Sequence, residues 1–365
     1  MGRFVSSACV LLAAGMLAAA ITDTLITLAT PATARPAADR SAVASRAGQP
    51  RIAYVITSGV LDHGAGTVTP VNTATDQAGR PIRVGRGPAG IAITPNGRTA
   101  YVTNSDSGTV TPINTVTNQA GRPLKVGPNP GAIVITQNGR TAYVARDKGV
   151  IPISLPAGRP GRLIRAGLSS RRPGELALSP GGKTLYVTGE DGVFLISTAT
   201  NTVRKEIRTG GNANVRQIAI APGGKDAYVL DRNGSVIVIK AATSKVVRRI
   251  RIPRSPGAVG PGALGFVRGG KTLYVVSSPD GVVFPISTAT GAPGQPIRLG
   301  PGHGTSLSPA IAVTPHGTTA YVLAQRSRPD RSLLIPIRAA TGSPLKPIRV
   351  GYRAVGLTIV DLVSE

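Results

Sequence analysis

The chain has 365 residues with 42 Lys and Arg against 16 Asp and Glu, a formal net charge of +26, and is 41% hydrophobic but only 3% aromatic. That apolar content supplies a sizeable core and excludes global disorder. The 46 Gly and 31 Pro leave little uninterrupted sequence for long helices, so short strands joined by turns are expected. One cysteine excludes a disulfide scaffold and any cysteine-cluster metal site.

In chain order, Met1–Arg3 is a basic head, and Val5–Ile21 is an apolar run rich in small residues. Asp23 interrupts it short of the roughly 20 apolar residues of a membrane span. Ala32-Thr33-Ala34 supplies an A-x-A site, so residues 1–34 read as a secretory signal peptide cleaved near Ala34. Ala18-Ala19-Ala20 is a second cut, and an uncleaved membrane anchor is the weaker third reading. Residues 35–50 are small, polar and Pro-containing, as suits a flexible linker. Export to the cell envelope or the extracellular space is expected.

From residue 51 onward the chain repeats itself. A tyrosine in an [A/L]-Y-V setting recurs at Tyr54, Tyr101, Tyr143, Tyr186, Tyr228, Tyr274 and Tyr321, with spacings of 42 to 47 residues. A period of that length containing several short strands is the signature of propeller blades. The second repeat shows four strand-like pieces, here called A to D: Gly90–Thr94, Thr99–Thr103, Thr109–Ile113 and Pro123–Val126. Asn96-Gly97, Asn138-Gly139, Gly181-Gly182, Gly223-Gly224, Gly269-Gly270 and His316-Gly317 separate A from B, where glycine supplies the positive φ of a tight hairpin. Asp191-Gly192, Asn233-Gly234 and Asp280-Gly281 are expected to do the same between B and C. Tyr54 has no A strand before it, and Val355–Val360 looks like an A strand with no B strand after it. The C-terminal segment should therefore fill the innermost place of the first blade and close the ring, removing two sheet edges. The expected fold is all-β, a seven-bladed β-propeller of four-stranded antiparallel blades over residues 51–365.

Tyr101-Val102-Thr103-Asn104 spells YVTN, and Gly108–Asn118, Tyr186–Gly189, Ser197–Asn201 and Ser287–Gly291 continue in kind. In these residues the chain resembles the YVTN β-propeller repeat family, across residues 51–365. The pattern departs where members of that family often place Asp after strand C: Asn72, Asn114, Ser154, Ser197, Lys240, Ser287 and Arg338 stand there. The resemblance implies the fold and a surface or periplasmic setting, not a chemistry. The resembling fold also serves lactone hydrolases and quinone-linked dehydrogenases, which need acidic metal ligands or a catalytic base at the central mouth.

Catalytic groups are scarce. Gly265–Thr272 matches G-x-x-x-x-G-K-[ST], but a strand rather than a helix should follow, so the phosphate-binding helix N-terminus is missing. His63, His303 and His316 fall in separate loops, and no metal site or cofactor is expected from them. Glu175 and His303 are the best mouth candidates. They belong to the fourth and seventh A strands, with no partner evident, and they carry the alternative reading, a lactone- or sugar-acid-directed hydrolase.

The cations have a pattern. Each D strand carries one at an equivalent position: Arg83, Lys125, Arg165, Arg208, Arg251, Arg298 and Arg349. Strand D is outermost, so these stand on a circle of roughly 20 Å radius, about 18 Å apart. That is more than twice the ~8 Å screening length, so edge protection explains them better than a binding ring. Arg98, Arg140, Lys183, Lys225 and Lys271 instead occupy equivalent A–B turns near the channel, where spacings approach that length. Arg80, Arg122, Arg159, Arg162, Lys245 and Arg268 share their face, with Asp76 and Asp226 among the few acids there, while Arg86, Arg172, Arg216 and Arg353 mix with most turn acids opposite. With 33 of the 42 cations being Arg, the excess also matches a GC-rich coding sequence and simple solubility. The functional expectation is a monomeric, non-enzymatic binding or scaffold protein. By charge it could contact an acidic polymer, nucleic acid or an anionic membrane surface, and a protein partner is also admitted.

Overall fold

The computed structural model describes residues 51–57, 65–166, 174–210, 215, 217–231, 233–253, 262–277, 281–300, 310–314, 317–325, 332–350 and 354–361. The expected signal peptide and linker, His63, His303, His316, Arg172, Arg216 and Arg353 lie outside them. The described residues form seven antiparallel sheets arranged as blades around a ring. In blade 2 the A to C strands are Pro88–Ile93, Thr99–Asn104 and Thr109–Asn114. In blade 4 all four are continuous: Leu176–Leu178, Thr184–Thr188, Gly192–Ser197 and Thr202–Arg208. Inner strands are buried on consecutive residues, as in Ile133–Ile135 and Ala310–Val313, because each blade is covered on both faces.

The ring closes as the sequence demands. Ala354–Asp361 lies antiparallel to Arg51–Thr57, from Arg51 opposite Asp361 to Thr57 opposite Ala354, and becomes the A strand of blade 1. The Ala354 amide also donates to Ser332 Oγ of blade 7 at 2.8 Å, tying the closing strand to the last blade.

The outer strands are as expected in place but divided in detail. In blades 1, 2, 3 and 7 strand D is two short pieces, in blade 2 Gln119–Ala120 and Leu124–Lys125, both paired to strand C. The cause is a proline in strand C, opposite the repeat tyrosine: Pro70, Pro112, Pro152, Pro285 and Pro336. Proline has no N–H to donate outward, so the ladder lapses there. Its carbonyl still accepts a strand D amide, from Gly79, Gly121, Gly161 or Gly294 at 2.7 Å. Blades 4 and 5 carry Leu195 and Val238 at that position, and their D strands, Thr202–Arg208 and Lys245–Arg251, are single strands of 7 residues each, with one bulge opposite the step from Leu195 to Ile196 and one opposite the step from Val238 to Ile239.

The A–B glycines have the expected positive φ, between 66° and 87° at Gly97, Gly139, Gly182, Gly224, Gly270 and Gly317. Between B and C, Gly234 and Gly281 agree. Gly192 does not: it lies inside strand C, where a Cβ would collide with the Ile207 carbonyl of strand D. Close approach, not turn geometry, selects glycine there.

The repeat tyrosines are buried and clip blades together. Tyr54 Oη of blade 1 donates to the Thr115 carbonyl and Asn118 Oδ1 of blade 2, at 3.1 and 2.9 Å. Tyr143 of blade 3 reaches Thr198 and Asn201 of blade 4 in the same way, and Tyr228 of blade 5 reaches the Thr288 carbonyl of blade 6. The threonines bond in turn to their own A–B turns: Thr198 Oγ1 to the Gly182 carbonyl at 2.6 Å and Thr288 Oγ1 to that of Gly270 at 2.9 Å. Burial pushes the Tyr54 phenol up to about 12 and raises those of Tyr101, Tyr143, Tyr186, Tyr228 and Tyr274.

Candidate functional site: the basic turn face

The A–B turns are built rigidly. In blade 2, Asn96 Oδ1 accepts from Thr94 Oγ1 at 2.7 Å and from the Arg98 amide at 3.1 Å, while the Gly97 amide donates to the Thr94 carbonyl. Thr136, Asn138 and Arg140 repeat this in blade 3 at 2.7 and 3.0 Å. Neighbouring turns also touch. A Cβ on Gly224 would stand 3.1 Å from Pro180 of the preceding blade, and one on Gly270 would stand 2.7 Å from Pro222. The turns of blades 4, 5 and 6 therefore form a continuous shelf around the channel. From such turns Arg98, Arg140, Lys183, Lys225 and Lys271 extend, all exposed.

The rest of the face agrees in sign. Arg80, Arg122, Arg159, Arg162, Lys245 and Arg268 are exposed. Of its two acids, Asp226 is held by Lys240 Nζ at 3.2 Å, which leaves Asp76 the exposed one. The opposite face holds Asp106, Asp147, Glu190, Asp191 and the buried Asp231, whose carboxylate accepts the Ser235 amide at 2.7 Å and lies 3.7 Å from Arg249. The rim cations Arg83, Lys125, Arg165, Arg208, Arg251, Arg298 and Arg349 are all exposed.

Glu175 immediately precedes the inner strand of blade 4 and is 7% exposed, with its amide donating to Thr188 Oγ1 at 2.8 Å. The equivalent position holds Gly90, Ala132, Ala263 and Ala310 in blades 2, 3, 6 and 7, but Gln217, 3% exposed, in blade 5. Sequence reasoning found Glu175 but missed Gln217 beside it; the signal was a polar residue just before an apolar inner strand. No group of three or more His, Cys, Asp or Glu that could hold a metal ion occurs among the described residues. The segment Arg268–Gly270 is a single 3-10 turn running into strand Thr272–Ser277, so the phosphate-loop match has no helix behind it. Two open depressions, of about 390 and 260 Å³, lie at the lapses in the outer ladders of blades 2 and 1, beside Gly121 and Gly79. No described helix is long and apolar enough to cross a membrane.

No family model matches the chain, and no curated protein matches it by sequence. Solved structures do match by shape. A Bacteroides uniformis protein provisionally named a 6-phosphogluconolactonase is 16% identical, with a TM-score of 0.66 over 86% of this chain and 100% of its own. A β-propeller domain from Myceliophteria thermophila is 16% identical, with a TM-score of 0.58 over 73% of this chain and 88% of its own. The fold is a seven-bladed β-propeller. Kuenenia stuttgartiensis hydrazine synthase is similar too, at 23% identity and a TM-score of 0.58 over 68% of this chain and 76% of its own. At such identities the likeness is one of propeller architecture alone.

Proposed function

We propose that this propeller is an exported, non-enzymatic binding protein of the YVTN type that holds an acidic polymer against its A–B turn face. The observation that carries the reading is the set of A–B turns, hydrogen-bonded in blades 2 and 3 and packed on one another in blades 4, 5 and 6, which presents Arg98, Arg140, Lys183, Lys225 and Lys271 on a face poor in exposed acids among the described residues. Rigid turns lower the entropy lost on binding, and clustered cations of one sign attract a polyanion without base-specific contacts. With Trp absent and the repeat tyrosines buried in strand B, the described residues offer no aromatic platform to stack bases, so binding is electrostatic.

The test compares two variants that each remove five charges. Changing the five turn cations to Gln is expected to weaken binding of a fluorescent single-stranded DNA at least tenfold and to flatten its salt dependence. Changing Arg83, Lys125, Arg165, Arg298 and Arg349 to Gln should weaken it far less. Equal losses would mean that net charge alone attracts the polymer, and the site would fall.

A hydrolase acting on lactones or sugar acids is the second reading, favoured by the buried Glu175 and Gln217 at the ends of two adjacent inner strands. Lactone hydrolysis that disappears in Glu175→Gln would replace the binding reading; no turnover across a lactone and ester panel, with and without divalent metals, would remove the hydrolase.

A further inference from the structure

We propose that the outer strand of blade 5, Lys245–Arg251, is an acceptor edge to which an extended acidic segment of a partner protein adds as a fifth strand. The proposal stands apart from the turn-face reading, because it rests on backbone geometry at the rim.

An edge strand exposes a row of unpaired amides and carbonyls and can template another strand. In blades 1, 2, 3 and 7 that hazard is met by the proline in strand C, which leaves strand D as two-residue or otherwise short pieces. Blade 6 likewise keeps only Ile297–Arg298 and an isolated bridge at Pro293. Blades 4 and 5 lack the proline and present single strands of 7 residues, each with one bulge, at Arg204 in blade 4 and at Val247 in blade 5, so in blade 5 the regular ladder runs from Arg248 to Arg251. Four large hydrophobic residues are exposed among the described residues, and two of them, Val203 at 40% and Val247 at 56%, lie on these two edges.

Blade 5 is the better acceptor. Its strand holds Lys245, Arg248, Arg249 and Arg251 with no acid, whereas Glu206 interrupts the positive run Arg204, Lys205 and Arg208 in blade 4. Arg249 is bonded to the Thr209 carbonyl of blade 4 and lies 3.7 Å from Asp231, with its side chain still 44% exposed. Lys245, Arg248 and Arg251 are exposed. Val238 pairs with Arg248 at the site where the other blades' proline carbonyl accepts from strand D. Residues alternate in an antiparallel ladder, so the amides of Arg249 and Arg251 point away from strand C. Backbone pairing there supplies affinity, Val247 offers an apolar contact, and the cations select an acidic strand over a basic one.

The probe is a fluorescein-labelled peptide of alternating Glu and Val, compared with the same peptide N-methylated at every residue, which keeps the charge but has no N–H left on either edge to pair. The first is expected to bind the full chain at least tenfold more tightly than the second. Arg248→Glu with Arg251→Glu should abolish the difference while leaving DNA binding at the turn face in place. Hydrogen exchange on the unaltered protein gives a readout independent of any variant: the Arg249 and Arg251 amides should slow at least tenfold when the peptide is added. Equal binding of the two peptides would make the edge a charge patch for any polyanion, and unchanged exchange would put the peptide elsewhere; either result overturns the proposal.

Discussion

Deleting residues 352–365 is expected to lower the melting temperature by about 10 °C or more. The closing strand buries Ala354, Leu357 and Thr358 and pairs along Arg51–Thr57. Burying one Leu is worth about 2 kcal/mol, and each net hydrogen bond about 1 kcal/mol, so the loss is on the order of 5 kcal/mol. At about 2 °C per kcal/mol for a domain of this size, that sets the expected shift. Truncation also uncovers the inner edge of Arg51–Thr57 and leaves Ser332 Oγ without the Ala354 amide. A peptide spanning Ala354–Asp361, added in excess, should restore much of the stability, because it binds the native ring and not the unfolded chain. A truncated chain melting within a degree or two of the full one would mean that blade 1 stands without its inner strand.

Alkaline pH is the second strong lever. The Tyr54 phenol has a folded pKa near 12 against an ordinary value of 10.0, and burial raises five more repeat tyrosines. A raised folded value means that the unfolded chain ionises first. The contribution of these groups is therefore complete below pH 10 and is lost as pH climbs from 10 toward 12. For Tyr54 alone the loss is on the order of 2–3 kcal/mol. Urea midpoints measured across that window should fall steeply. In Tyr54→Phe the fall should be shallower, although this variant starts about 1 kcal/mol lower at pH 8 for want of the bonds to Thr115 and Asn118. Parallel curves for the two proteins would show that Tyr54 does not ionise on unfolding.

The ring was legible because its information is repetitive: seven tyrosines mark strand B, glycine pairs mark the hairpins, and the unmatched Val355–Val360 reveals the closure. The outer strands were less legible, since the segment containing Pro123 reads as a strand while the proline that divides it, Pro112, sits one strand away. The tyrosine clips were invisible for a related reason. Tyr54 and Asn118 are 64 positions apart, and only the stacking of blades brings them within 2.9 Å. The candidate site was half legible: spacing placed the turn cations on one face, but the concentration of charge on the outer strands of blades 4 and 5 mattered only once each was seen to be a single strand rather than two short pieces. Glu175 was found, and Gln217, its counterpart in the next blade, was not.

Arg51 and Asp361 stand opposite each other where the other blades carry an A–B hairpin. The chain thus enters and leaves the ring through a single gap, and that gap opens on the cationic face. Residue 51 therefore stands at the inner rim of the charged side, so a surface docked around that point would meet the turn arginines and lysines first. The far side of the disc, with its acidic loops, would be turned outward toward arriving molecules. Orientation on such a surface follows from where the circle was cut.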